Sequence, residues 1–476
     1  MRRQKWRRVT AGALGVALLG AVVTTGGNAS AAEESVAGRS PAADAKLATA
    51  LRKAIDAQRF ADVLDTVPPS TAAATQLYKT QVAPDSATKM PAATAVAAAA
   101  PIHQTPQLDA TVIKLDRAGR PVAAADVLLS PQYPTGKIVP LDANLTTTQV
   151  RWRQWDDATW DNNNGQGTTD IVPGRESAPV DFMSPYPASV LKLMVAFGIL
   201  RMVDAGELSL DDTYTYTPVG TPSSLCGPAR AATSITQLFD EMITVSSNPS
   251  TCALIKLMHD QGKIAGLNQQ FVDLGLPTLR LAGTNPNTGG TWANAVTMSS
   301  IDTAKLLLLF NGSPGTLWKT PAGTRVKASV LSPSSRSYVL EKLGEQGLNQ
   351  VLSTTNYCGR EYPAQGIPQT TPARWINPAD GTVTVAGRKY GQDVRPCNAT
   401  AQVTFAHKTG LADTSGNDAG IVKSLPGKPF ESYIVSVHSN LGYRYIDADR
   451  PADPAGVYPV QYTEKLALLG RAIHAL

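Results

Sequence analysis

The sequence predicts a mixed α/β fold, with helices in the middle of the chain and strands toward its C-terminus. Residues 190–200 are apolar nearly all round a helix, which is typical of a helix inside a core. Residues 235–243 are apolar at helical spacing and predict a second helix. Residues 402–407 alternate between apolar and polar side chains, as a strand does. The elements predicted after it are strands around 419–422 and 433–437 and a final helix around 466–473.

The first motif with chemical potential is Ser189-Val190-Leu191-Lys192, at the start of the apolar helix. A serine hydroxyl needs a base within hydrogen-bond reach before it acts as a nucleophile near neutral pH. Residues three apart share a helix face, so we expect the Lys192 amine beside the Ser189 oxygen. The same pattern recurs at Ser86-Ala87-Thr88-Lys89, but no apolar helix follows it, and we assign it no role.

The second motif, Ser246-Ser247-Asn248, lies between two predicted helices. Ser234 and Gln237 resemble the capping box of the first helix. Hydroxyl and amide groups at such a connection can project into a cleft. The alternative is a plain helix boundary, with Asn248 as N-cap and Pro249 as first residue.

The third motif, Lys408-Thr409-Gly410, ends a predicted strand. A strand edge beside a lysine can pair with an extended peptide and receive a carboxylate. The alternative is a simple strand-to-turn signal. Ser415-Gly416-Asn417 resembles the second motif but is predicted to be a turn, and His407 is read as an edge-strand residue without a role.

These three motifs, in this order, resemble those of the serine β-lactamase and penicillin-binding D,D-peptidase superfamily, most closely its class A branch. The resemblance runs from about Asp181 to the C-terminus. It implies a mostly helical lobe packed on a lobe whose antiparallel sheet carries Lys408. It also implies that Ser189 is the acylated nucleophile, that Lys192 is the base or proton relay, and that Ser246 passes the proton to the leaving nitrogen.

The same resemblance implies a substrate-binding set. The amide of Asn248 would bind the acylamino side chain of the substrate. Lys408 and Thr409 would hold its carboxylate, and Gly410 belongs to the same binding strand. The backbone N–H groups of Ser189 and Leu411 would form the oxyanion hole, where each donor is worth about 3 to 4 kcal/mol of barrier.

One position departs from the class A pattern. Class A enzymes carry a Glu-Pro pair whose glutamate activates the deacylating water, and the matching residues here are Asn285-Pro286. No Asp or Glu lies between Asp273 and Asp302 in the sequence. Because an amide is no general base, which typically contributes about 10² to 10⁴ in rate, we expect slow deacylation. A milder departure is Ser247, where class A enzymes usually have Asp.

The N-terminus predicts a secretory signal over residues 1–31. Five basic residues precede the apolar run Val9–Val23, and Ala29-Ser30-Ala31 fits a cleavage site. The run is shorter than the ~20 residues that span a bilayer, so we expect a secreted chain with no membrane span. Loss of the leader leaves equal numbers of basic and acidic residues, which argues against a nucleic-acid partner. We expect a monomer without a cofactor.

The four cysteines predict two disulfides, because an exported chain meets an oxidising environment. Three pairings are possible, and we favour Cys226 with Cys252 and Cys358 with Cys397. The second pair would close a Pro- and Gly-rich loop before the third motif. That loop is interpreted as an insertion at the cleft rim, with a plain surface loop equally compatible. Metal binding by these cysteines is not expected, since their spacing lacks a Cys-x-x-Cys or His-Cys cluster.

Three parts are predicted: the signal at 1–31, an Ala-, Pro- and Thr-rich extension with a linker at 32–105, and a hydrolase domain at 106–476. The extension includes one helix around 44–60, and strands begin at 112–115, 122 and 150–155. Residues 161–165 resemble a calcium loop less well than a tight turn. Trp152, Trp155 and Trp160 suggest a sugar-stacking surface or, more simply, core packing.

These observations favour a serine acyl-transfer hydrolase that forms an acyl-enzyme with β-lactams or D-Ala-D-Ala-type cell-wall peptides. Two alternatives stay open. One is a true class A-like β-lactamase whose water-activating group is not evident. The other is a catalytically silent cell-wall-binding protein, although a binder needs no nucleophile.

Overall fold

The computed structural model describes residues 38–65, 100–102, 106–160, 163–360, 364–447 and 464–476. Its nine α-helices within these residues are α1 (Pro41–Asp56), α2 (Lys192–Asp204), α3 (Ile235–Thr244), α4 (Asn248–Asp260), α5 (Ile264–Asp273), α6 (Ser300–Asn311), α7 (Pro333–Gly344), α8 (Arg395–Thr400) and α9 (Lys465–His474). None of them is both long and apolar enough to cross a membrane.

The strands of the described residues are β1 (Val63–Asp65), β2 (Ala100–Pro101), β3 (Leu108–Leu115), β4 (Pro121–Ser130), β5 (Tyr133–Val139), β6 (Val150–Arg153), β7 (Val180–Met183), β8 (Thr213–Tyr216), β9 (Arg230–Ser234), β10 (Arg280–Leu281), β11 (Val296–Thr297), β12 (Trp318–Lys319), β13 (Arg325–Val326), β14 (Thr382–Val385), β15 (Arg388–Asp393), β16 (Val403–Ala412), β17 (Ser415–Ser424), β18 (Ser432–Ser439) and β19 (Tyr445–Asp447).

Six of these strands form the central antiparallel sheet, in the order β16-β17-β18-β3-β4-β5. Strands from the two ends of the chain meet where β18 pairs with β3. Beside this pair, the backbone N–H of Gln107 donates to Asn440 Oδ1 across 333 residues of sequence. Strand β16 lies at one edge of this sheet, so its outer backbone edge is not paired within the sheet.

The sheet is buried on both faces because its side chains alternate between two apolar cores. In β3, Ile113 packs in the core shared with α2, α4 and α6, whereas Val112 packs in the core shared with α1 and α9. The predicted α/β architecture, with a helical region packed on an antiparallel sheet, is confirmed. The predicted helix of the N-terminal extension is confirmed as α1, and it packs on this sheet.

Other predictions about the first half of the chain have mixed outcomes. The strands at 112–115 and 122 are part of β3 and β4. The strand predicted at 150–155 is β6, which pairs in parallel with β7 in a separate two-stranded ribbon. Most of the predicted linker, the repeat of the first motif at 86–89, and part of the 161–165 turn lie outside the described residues.

The three tryptophans near this ribbon are core residues. Each is 4% exposed. Trp152 packs edge-on against Phe182, and Trp155 packs against Trp160 with ring centroids 5.3 Å apart. Buried rings cannot stack on a sugar, so the sugar-stacking interpretation is wrong and core packing is right.

Candidate active site

The first motif spans a helix start, as predicted, although Ser189 itself lies in a short 3₁₀ turn, Ala188–Leu191, and Lys192 opens α2. Ala188 has a φ of 45°, a left-handed conformation that is uncommon outside glycine. Residues 192–200 are all buried, so the helix is fixed in the core. The Lys192 Nζ lies 2.9 Å from Ser189 Oγ.

The second motif connects α3 to α4, and its middle residue caps the helix. Ser247 Oγ accepts from the Ser250 N–H at 3.2 Å, so the sequence-based alternative of Asn248 as N-cap is wrong. Because Ser247 takes this position, the Asn248 amide is free to accept from Lys192 Nζ at 2.6 Å. Ser246 adopts a left-handed φ of 59°, a conformation that non-glycine residues adopt at a cost.

Lys192 is surrounded by oxygen atoms. Its Nζ lies 2.6 Å from the Ser246 carbonyl oxygen and 2.9 Å from Ser246 Oγ, in addition to its contacts with Ser189 and Asn248. Among the described residues no carboxylate pairs with it. A carbonyl and an amide oxygen only accept hydrogen bonds, so they can take both N–H groups of a neutral amine. Its lone pair is then available to a serine hydroxyl.

Lys408 is the second lysine of the site. Its Nζ donates to Ser246 Oγ at 3.0 Å and to the Thr409 carbonyl at 2.9 Å. Burial, and then the charge of Lys408, lowers the pKa of Lys192 well below its usual range. Burial lowers the pKa of Lys408 to about 7, against the opposing charge of Asp418. The two lysines therefore favour a state in which Lys192 is neutral and Lys408 is charged.

The third motif lies inside β16 rather than at its end, because the strand continues to Ala412. A Cβ on Gly410 would lie 3.0 Å from the Ser189 backbone nitrogen and 2.6 Å from the Pro187 oxygen. Only glycine permits this close approach of the strand to the nucleophile turn. Leu411 is the next residue of β16. The predicted strand-to-turn alternative for the motif is wrong.

One neighbour of the motif was predicted wrongly, and a second, His407, lies in the edge strand β16 as predicted. Ser415-Gly416-Asn417 lies in β17 rather than in a turn, and Asn417 Nδ2 donates to the Tyr186 carbonyl at 3.1 Å. His407 is fully buried, with Nδ1 2.7 Å from Asp418 Oδ1 and Nε2 2.8 Å from Asn349 Oδ1. It ties β16 to a distant segment directly beside Lys408.

Both predicted disulfides are present, Cys226–Cys252 and Cys358–Cys397. The second lies in a small apolar cluster with Tyr390 that packs against Val245, the residue before Ser246. The cysteine-closed segment is therefore next to the second motif, as the cleft-rim interpretation requires.

The loop that contains Asn285 includes a residue that the sequence analysis missed. Asn285 Oδ1 accepts from the Asn287 N–H at 2.8 Å, so its amide is part of its own turn. Farther along, the Trp292 ring lies 5.7 Å from Lys192 Nζ. A bulky aromatic in a Gly-rich loop, between the second and third motifs, was the only sequence signal for it.

Residues 182–357 match the model of the beta-lactamase enzyme family. This match shows a similarity to the beta-lactamase enzyme family over that segment. It covers the first two motifs, while the third lies beyond it. No curated protein is similar enough to be matched.

Solved structures of this type are similar at low sequence identity. PBP-A is 17% identical over 78% of this chain and 89% of its own, with a TM-score of 0.40. The β-lactamase of Sphaerobacter thermophilus is 14% identical over 78% and 90%, with a TM-score of 0.38. An ancestral class A β-lactamase is 16% identical over 77% and 92%, with a TM-score of 0.38.

Proposed function

We propose that this protein is a serine hydrolase that forms an acyl-enzyme on Ser189 with β-lactams or D-Ala-D-Ala-type cell-wall peptides and deacylates slowly. The observation that carries the proposal is the contact between Ser189 and Lys192. A lysine amine with a lowered pKa lies 2.9 Å from a serine hydroxyl at the start of a buried helix. That is the arrangement of an activated nucleophile and its base.

Acylation follows from the contacts of these two residues. Ser189 Oγ attacks the carbonyl carbon of the substrate amide while its proton passes to the neutral Lys192. The proton then moves from Lys192 to the leaving nitrogen through the Ser246 hydroxyl, which lies within 3.0 Å of both lysines. The C–N bond breaks, and the acyl group stays on Oγ. Burial, and then the charge of Lys408, lowers the pKa of Lys192 and so favours its neutral form at the start of this sequence.

The remaining site residues bind the substrate in this proposal. The backbone N–H groups of Ser189 and Leu411 receive the carbonyl oxygen as it becomes negative. Lys408 and Thr409 receive the substrate carboxylate, and a cation that pairs with a carboxylate forms a strong hydrogen bond. Asn248 binds the acylamino group, and its contact with Lys192 already holds that amide at the site.

Slow deacylation is proposed because no carboxylate of the described residues contacts Ser189, Lys192 or Ser246. Asn285 carries an amide where class A enzymes carry their water-activating glutamate. Loss of that carboxylate as general base costs about 10² to 10⁴ in rate, or roughly 3 to 5 kcal/mol of barrier, and leaves Lys192 as the remaining base.

We also propose that the mature chain acts outside the cytoplasm as a monomer, after loss of residues 1–31. Its two disulfides are compatible with an oxidising compartment. Cell-wall peptides and β-lactams are met in such a compartment.

Intact-mass measurement after addition of benzylpenicillin tests the proposal. We expect one equivalent of adduct that forms quickly and persists, with no adduct on Ser189→Ala. Ser415→Ala is a matched control, because Ser415 begins the similar Ser-x-Asn pattern in β17. Fast, sustained turnover would replace slow deacylation with the β-lactamase alternative. Absence of any adduct would favour the silent binding protein.

A further inference from the structure

The indole ring of Trp292 lies beside the candidate base. Its centroid is 5.7 Å from Lys192 Nζ, and the residue is 9% exposed. Its Nε1 donates to the Gly289 carbonyl at 2.8 Å. The ring is therefore held within the protein next to the Ser189–Lys192 pair. Its one hydrogen-bond donor is already used, so the ring offers no polar group to a water molecule.

The loop before Trp292 is built to hold this position. A Cβ on Gly289 would lie 2.0 Å from the Cys252 carbonyl oxygen, and one on Gly290 would lie 2.5 Å from Cys226 Sγ. The loop backbone therefore packs directly on the disulfide and on the start of α4. Two glycines in succession make this close contact possible.

Backbone strain at Thr291 points to the same conclusion. Thr291 has a φ of 61°, and a β-branched residue in the left-handed region is a genuine outlier. Such a conformation costs about 1 to 3 kcal/mol and persists only where the surrounding structure enforces it. The enforced turn directs the next residue, Trp292, toward Lys192 instead of toward solvent.

We propose that Trp292 is a positioning residue that keeps water away from the acyl-enzyme on Ser189. The inference rests on the proposed function. In deacylation, the oxygen of water bonds to the ester carbonyl carbon while one of its protons passes to neutral Lys192. The C–O bond to Ser189 Oγ then breaks, and Oγ takes a proton back from Lys192.

The water in that step must contact the ester carbon and lie within hydrogen-bond reach of the base at once. Four oxygen contacts surround Lys192 Nζ, and the Trp292 ring lies beyond them. An apolar ring there disfavours a bound water, which needs two to four polar partners. This effect is separate from the amide at Asn285, which removes a base but does not exclude water.

The test compares Trp292→Ala and Trp292→Phe with the wild type. Each protein is acylated with benzylpenicillin, excess drug is removed, and loss of the adduct is followed by intact mass. We expect Trp292→Ala to shorten the adduct lifetime by about tenfold, which is about 1.4 kcal/mol of barrier. Trp292→Phe keeps an aromatic ring and should stay close to the wild type. Hydroxylamine, a small nucleophile, should release the adduct faster from Trp292→Ala than from the other two.

Trp318→Ala is the matched control. The Trp318 ring also lies beside a buried lysine, with its centroid 4.8 Å from Lys305 Nζ, and its Nε1 donates to the Leu274 carbonyl at 2.8 Å. It is remote from the three motifs in sequence, and its ring contact and hydrogen bond are both to residues outside them. We expect this variant to lose stability while its adduct lifetime stays that of the wild type.

Equal lifetimes for wild type and folded Trp292→Ala would overturn the inference. So would an equal shortening in Trp318→Ala, because general destabilisation would then explain both. Should Trp292→Ala fail to fold, Trp292→Gln decides instead, because it fills part of the same space with a polar group. It should shorten the adduct lifetime, and an unchanged lifetime in folded Trp292→Gln would overturn the inference. If the wild type forms no adduct at all, the proposed function itself is refuted. That result is seen before any variant is compared.

Discussion

Removal of the Cys226–Cys252 disulfide tests how the loop above it is supported. In the chain-entropy description, a cross-link stabilises a fold by restricting the unfolded chain, and the effect grows with the residues enclosed. The separations are 26 residues for Cys226–Cys252 and 39 for Cys358–Cys397. These correspond to about 3.5 and about 3.9 kcal/mol at 25 °C. Replacing both cysteines of either disulfide with alanine should therefore lower the free energy of unfolding by nearly equal amounts.

Their effects on the acyl-enzyme should differ. Gly290 packs directly against Cys226 Sγ, so loss of that sulfur removes the surface on which the Trp292 loop rests. The Cys358–Cys397 bond lies in a separate apolar cluster. We expect Cys226→Ala/Cys252→Ala to shorten the adduct lifetime and Cys358→Ala/Cys397→Ala to change it little.

Denaturant unfolding measures the stability of each variant, and intact mass measures the adduct lifetime. Equal lifetimes in the two variants, after comparable losses of stability, would show that the loop does not depend on its disulfide. A stability loss below about 1 kcal/mol in both would refute the entropy estimate.

Three further predictions concern ionisable groups. The rate of acylation by a penicillin should fall as pH rises through about 7, because Lys408 then loses the charge that binds the substrate carboxylate. In a stopped-flow pH profile, Lys408→Arg should not show this fall, because arginine stays charged. Burial raises the pKa of Asp126 well above its usual range and that of Asp109 to about 6. These two groups therefore contribute to the stability of the fold below about pH 4, and their contribution is lost as pH rises through their folded pKa values. Asp126→Asn should therefore raise the melting temperature at about pH 8 and change it little at about pH 4. His407→Ala removes one hydrogen-bond partner from each of the buried residues Asp418 and Asn349, and denaturant titration should show a loss of about 1 to 3 kcal/mol. A loss within error would contradict the structural role of these contacts.

The motifs were predictable because their geometry is local. Ser189 and Lys192 meet through helical spacing, and Lys408 lies in a strand whose alternation is visible in the sequence. The roles within the second motif were less determined, since Ser247 and Asn248 are both good N-caps and only the fold selects between them.

The residues that were missed depend on distant partners. His407 is buried because Asn349 and Asp418 come from other segments to meet it. Trp292 lies in a loop without periodicity, and its contact is with Lys192, far away in sequence. Nothing local distinguishes such a residue from a surface aromatic. The sequence therefore shows that this loop lacks a carboxylate, but it does not show that the Trp292 ring lies beside Lys192.

The pairing of β18 with β3 also constrains how the protein folds. The central sheet cannot form until strands from both ends of the chain are available, and contacts this distant in sequence make folding slow. Ser189 and Ser246 are synthesised well before Lys408 and the strands that hold it. A chain that is still emerging therefore carries the nucleophile without the cation that would orient a substrate. Under this order of assembly, the substrate-binding cation joins the site only when the last strands join the sheet.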